Sequence, residues 1–303
     1  MPVRHRPILV LALLLAVSLA AHHEARAQNA GAVTLTHVHG LAYSADGKQL
    51  MIPSHHGLAV YRDGKWSKAP GPAHDYMGFS ASRNRLYSSG HPAPGSGLVN
   101  PFGVIRSMDG GKTWDKLGLE GETDFHLLAT SYETNAIYVY NPAPNSRMKT
   151  AGLYYTVNDG FSWNRARASG FSGEPASVAV HPSDPKVIAI GSSNGLYLST
   201  DSGENFRAMA TGEQVLAAFF DLNGTQLLFS SYAGSPALTR VNWKSGSKRS
   251  VTLPSMSRDA VAYIAQNPVS RNEYALATFE RSVYITQDSG ATWRQIASSG
   301  KGM

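Results

Sequence analysis

The 303 residues contain no cysteine. That excludes disulfide staples and thiolate ligands, so a metal site in this chain must be built from His, Asp, Glu or Met. Charge is sparse as well: 27 Lys and Arg stand against 21 Asp and Glu, and they form no basic run. Nucleic acid and membrane surfaces are therefore not expected partners. Long helical periodicity is missing too. The longest apolar run, ILVLALLLAVSLAA at residues 8–21, has fourteen residues, short of the ~20 needed to cross a bilayer.

What that run does is set by its flanks. MPVRHR precedes it and Ala25-Arg26-Ala27 follows, the three parts of an export signal with an A-x-A cleavage site. Residues 1–27 are read as a signal peptide and residues 28–303 as one domain, placed in a bacterial periplasm or the medium and free of the membrane after cleavage. Removing the signal takes away Arg4, Arg6, Arg26 and Glu24 and leaves a mild net charge of +4. The rest is rich in Gly, Ser, Tyr and β-branched residues, which points to an all-β chain.

Internal repeats specify the architecture. SMDGGKTW at 107–114, TVNDGFSW at 156–163, STDSGENF at 199–206 and TQDSGATW at 286–293 share S/T-x-D/N-x-G-x-x-W/F, with starts 49, 43 and 87 residues apart. The last interval is two periods of about 43, the length of one four-stranded propeller blade. TRVNWKSGSK at 239–248 fills the gap, and YRDGKW at 61–66 is a shortened copy one period before the first. The expected fold is a six-bladed β-propeller of four-stranded antiparallel blades. In each repeat the Asp is expected to accept turn N–H bonds, the Gly to supply positive φ and the aromatic to pack between sheets.

Six hairpin patterns supply the innermost strands, whose starts fall on His39, Asp75, His126, Ala176, Leu216 and the 259–262 region. Antiparallel order puts the start of the first strand and the end of the second at one rim of each blade, and the repeat turns at the other. Seven of the ten histidines beyond position 5 thus gather at one mouth of the channel, all from blades 1 to 3; His181 goes to the far rim. Neutral imidazoles are the commonest ligands for Zn and Cu where thiolates are missing. His37, His39, His55, His56, His91 and His126 are the expected metal ligands. His74, Asp75 and Asp124 are expected to bind substrate, and the two aspartates are alternatively metal ligands or carboxylates that orient an imidazole. The loops His91-Pro-Ala-Pro-Gly-Ser96 and Asn141-Pro-Ala-Pro-Asn-Ser146 echo one another, which adds Asn141 and Arg147 to the substrate-binding set. Affinity for the ion is expected to fall steeply from about pH 7 to pH 5, because free imidazole titrates near 6.5.

The repeated turn resembles the Asp-box, or BNR, repeat of sialidases, sortilin-like domains and exported bacterial propellers. A sialidase-type site would need three arginines, a Tyr/Glu pair and an acid; Arg147, Arg258, Arg281, Glu280, Tyr232 and Glu213 are the residues available, but the Arg-Ile-Pro signature is missing. From residue 37 to about 295, THVHGLAY, HHGL, MGF, SGHPAPGSGL, LGLEGETDFH and IYVYNPAPNSRM resemble exported bacterial six- or seven-bladed Asp-box proteins labelled glycosyl-hydrolase-like. The resemblance implies that the histidine-rich half is the family's own site. The functional expectation is a monomeric exported propeller binding Cu or Zn, or a small polar ligand or glycan, at that mouth. The alternative is a sialidase-like glycoside hydrolase acting there. Ring closure stays open, since TWRQIASS can serve blade 6 as an outer strand without VTLT at 33–36.

Overall fold

The computed structural model describes residues 33–256 and 258–303; the expected signal peptide at 1–27 lies outside them. The described residues form six antiparallel sheets, five of four strands and one of five. They are the six blades of a β-propeller, and they contain no helix. The innermost strands are Ala42–Tyr43, Asp75–Ala81, Leu128–Thr130, Pro175–Val180, Gln214–Phe220 and Val261–Gln266. In blades 1 and 3 the strand begins beyond the expected His39 and His126, so both histidines sit on the approach to the channel wall.

Burial falls from the second strand of a blade outward. The second strands Leu50–Ser54, Ile188–Ser192 and Tyr274–Thr278 are buried throughout, whereas the outer strands Lys65–Lys68 and Lys248–Val251 are largely exposed. A sheet covered on both faces reads as a continuous apolar run, and one half in water does not. Six hydrophobic clusters follow, one at each blade-to-blade interface around the ring.

The repeat turns are built as expected. Asp109 Oδ1 accepts the N–H groups of Lys112 and Thr113, and Oδ2 accepts the Thr113 hydroxyl; Ser107 Oγ accepts the Gly111 N–H. The Thr113 bonds, backbone first, draw the Asp109 carboxyl down to about 2. Asn158 reproduces the turn in blade 3 through its amide oxygen, accepting from Ser162 N–H and the Thr156 hydroxyl. In blade 1 the shortened copy is the two-residue Asp63-Gly64 turn, both residues at positive φ, which suits a right-twisted hairpin.

Closure of the ring is resolved by the interface between blades 6 and 1. Blade 6 has its own outer strand, Arg294–Ser298, then a fifth strand, Lys301–Gly302. The segment 33–36 lies outside that: Thr34 bridges Lys301, Leu35 N–H donates to Gly300 O at 2.7 Å and Gly302 N–H donates to Val33 O. Leu35 is fully buried with Leu50, Ile52, Ala277 and Ile296. Trp66 crosses the same interface, its indole N–H donating to Ile296 O at 2.8 Å.

The channel wall is largely apolar. Leu41, Phe79, Leu127, Val178, Phe219 and Tyr263, one from each blade, line a cavity of about 210 Å³ with His39 and His126 at one end.

Candidate functional site

His37 and His39 lie two apart in an extended segment, so their side chains leave on the same side. Their rings stack at 5.9 Å between centroids, 9° from parallel. His55 comes from the turn that joins the second and third strands of blade 1, His55-His56 being its two residues. Gly57 follows at φ 96°, where a Cβ would meet Ala73 Cα at 3.1 Å, and its N–H donates to His74 O. That close approach pins the turn against the start of blade 2 and drives the His55 ring edge-on into the other two, at 4.3 Å from His37 and 5.3 Å from His39.

Nitrogen atoms of His37, His39 and His55 all lie within 4.8 Å of one another. Ligands at 2.0–2.1 Å in a tetrahedral set keep a separation of about 3.3 Å, so small side-chain rotations would bring all three onto one ion. Asp75 supports the arrangement from blade 2: its Oδ2 is 2.6 Å from His55 Nδ1, which leaves His55 Nε2 to face a ligand. Two polar atoms here are buried without a partner among the described residues, His39 Nε2 and Asp75 Oδ1. An unmet buried group costs about 1–3 kcal/mol, which a ligand accepting it would recover.

Burial lowers the His39 pKa to about 4, opposed by the nearby Asp75 charge and reinforced by His55, His37 and His126. The ring is therefore neutral at pH 7, the form that ligates. The sign for stability follows. Between about pH 6.5 and 4 the unfolded chain binds this proton and the folded protein does not, so stability is full above 6.5 and is lost as pH falls to 4. A shift of this size corresponds to about 3 kcal/mol in a dry site, and solvent screening of the partly exposed ring reduces it to about 1–2 kcal/mol. Urea unfolding of metal-free protein is expected to show that loss between pH 6.5 and 4, and a His39→Gln variant to flatten the slope by the same amount. The same displacement means His39 takes no part in proton competition between pH 7 and 5.

The remaining rim residues go separate ways. His91 and His126 converge on Asp124, with His91 Nε2 at 3.2 Å and His126 Nδ1 at 3.7 Å from Oδ2, and His91 Nδ1 lies 2.7 Å from Asn100 Oδ1. His56 is exposed and outside the three-histidine cluster. His74 turns away from the mouth: it is buried against Phe102 and Tyr76, and its Nδ1 accepts the Ala93 N–H. Asn141 is fully buried, its amide donating to Ala143 O and Thr150 O, so it shapes the Pro-Ala-Pro loop. Arg147 donates to Gly160 O and Arg281 to Thr36 O, so these two arginines are held at different blade edges. Sequence reasoning passed over Asn100, whose Oδ1 faces His91 Nδ1.

No protein-family profile matches the chain, and no curated protein matches it in sequence. Solved structures do resemble it. The GH74 xyloglucanase of Xanthomonas campestris superposes with a TM-score of 0.57 at 15% identity over 88% of this chain, and the GH74 enzyme of Niastella koreensis with 0.58 at 17% over 88%. The chain spans about half of each, 46% and 47%. YCF48 from Cyanidioschyzon merolae gives 0.50 at 19% identity, covering 89% of this chain and 87% of that one. The extracellular domain of BT4673 from B. thetaiotaomicron gives 0.54 at 13%, covering 89% and 34%. At these identities the likeness concerns the fold: the chain is a six-bladed β-propeller with a histidine cluster at one channel mouth. No helix among the described residues is long and apolar enough to cross a membrane.

Proposed function

We propose that this is an exported propeller protein that binds one copper or zinc ion through His37, His39 and His55, with Asp75 orienting His55. The observation that carries the reading is the buried, partnerless Nε2 of His39, held neutral within reach of two further imidazoles. Three nitrogens without thiolates suit either ion, and three protein ligands leave a coordination position for water or a small polar ligand. Its repeat turns belong with the Asp-box type, and its compartment is the periplasm or the medium, in keeping with residues 1–27 and with the extracellular domain among its structural neighbours.

A glycoside hydrolase at the same mouth has the GH74 likeness for support. Two carboxylates at this mouth are already engaged, Asp75 by His55 and Asp124 by His91 and His126, as supports for imidazoles, which favours the metal reading there.

Tag-free mature protein dialysed against copper or zinc and then against metal-free buffer is expected to retain one ion per chain. At a free concentration a hundred times Kd the ion stabilises by about 2.7 kcal/mol, visible as a Tm rise of about 5–10 °C. Protein that keeps no ion and melts unchanged would remove the proposal.

A further inference from the structure

At the rim opposite the histidines, a polar cleft of about 570 Å³ opens between blades 5 and 6. Its walls come from the turn after each innermost strand, from the repeat turns and from the outer strands of blade 5. Four cations line it, Arg240, Lys248, Arg249 and Arg271, against one carboxylate, Asp221. None of the four is in an ion pair among the described residues, and Asp221 Oδ1 is taken by the N–H groups of Thr225 and Gln226.

Register makes this costly. Arg240 and Arg249 are direct cross-strand partners, so both side chains leave the same face of the sheet. Like charges placed opposite one another destabilise a strand pair unless a counter-charge sits between them. Arg240 is only 4% exposed, stands over the Tyr274 ring at 4.9 Å, and its Nε is buried without a partner. Asp221 is near enough to feel its charge but forms no ion pair with it, and a buried guanidinium without a paired carboxylate is rare. Tyr274, 3% exposed, accepts N–H bonds from both Arg240 Nη1 and Gln266 Nε2, which leaves its own hydroxyl proton to donate. Asn242, Asn272, Ser245 and Ser289 complete a hydrophilic lining.

We infer that this cleft binds a small hydrophilic oxyanion, the phosphate or sulfate group of a sugar-sized molecule, between Arg240, Arg249 and the Tyr274 hydroxyl. Guanidinium groups match the planar spacing of such oxygens, charge-assisted bonds to them are about twice as strong as neutral ones, and the volume falls in the range of small-molecule sites. The site is remote from the histidine mouth and does not depend on the metal reading.

Titration calorimetry with inorganic phosphate, in chloride buffer with EDTA at pH 7.5, tests it. A Kd below about 1 mM is expected, with one site per chain. Lys248→Ala/Arg249→Ala, two exposed positions, is expected to weaken binding at least tenfold without lowering Tm in chloride. Sulfate in place of phosphate tells whether the site takes both tetrahedral oxyanions or phosphate alone. No heat beyond dilution with either anion overturns the proposal. So does an affinity unchanged in the double variant, which would put the anion elsewhere.

Discussion

Replacing His39 and His55 together by alanine is expected to weaken copper or zinc binding by at least a hundredfold. The magnitude comes from the support structure. Loss of a carboxylate that merely orients a ligating histidine costs 10–100-fold, so Asp75→Ala alone should fall in that range and the loss of two ligands should exceed it. His56→Ala is the internal control, because that ring is exposed and lies outside the cluster. It should stay within threefold of wild type. Competition against a chromogenic chelator reads all three. A double variant within tenfold of wild type would mean that the ion sits elsewhere, with the Asp124 group of His91 and His126 the next place to look.

Trp66→Ala carries the largest expected loss of stability. Trp66 is buried in the cluster that joins blades 6 and 1, tilted on Tyr61 at 5.2 Å, and its indole donates to Ile296 O. Truncating a buried Trp costs about 3–5 kcal/mol, from lost burial plus the cavity left behind. The orphaned Ile296 carbonyl adds to it. For a domain of this size a drop of about 10 °C in Tm is expected. Trp66→Phe should recover most of the packing and none of the hydrogen bond. A fall of under 2 °C in the alanine variant would show that this interface contributes little to holding the ring together.

The propeller was legible because its signals are local and repeated. A turn that must satisfy its own N–H groups leaves Asp or Asn, Gly and Ser or Thr at fixed offsets, and those offsets recur at the blade period. The rim of each histidine was legible too, since antiparallel order decides which end of a strand it occupies. Which histidines meet was not. Rim position gives height along the axis but not the direction of a side chain. His74 and Asp75 are neighbours in sequence and face opposite ways, Asp75 toward His55 and His74 into the packing of Phe102. Asn141 mirrors His91 in its loop, yet full burial sends its amide to Ala143 O and Thr150 O. The Arg240–Arg249 pairing was out of reach for a related reason: it exists only in the register of two strands in a decayed repeat.

The seam between blades 6 and 1 runs directly into the histidines. Leu35 is hydrogen bonded to Gly300, Thr36 O accepts from Arg281, and His37 is the next residue. A pull on the chain ahead of Val33 would therefore load this clasp in shear before reaching any blade, and the first groups displaced beyond it would be His37 and then His39. An event that peels the segment from blade 6 would draw Val33 and Leu35 out of the packing between blades 6 and 1 and displace the histidines that follow, so the site and the latch of the ring would open together.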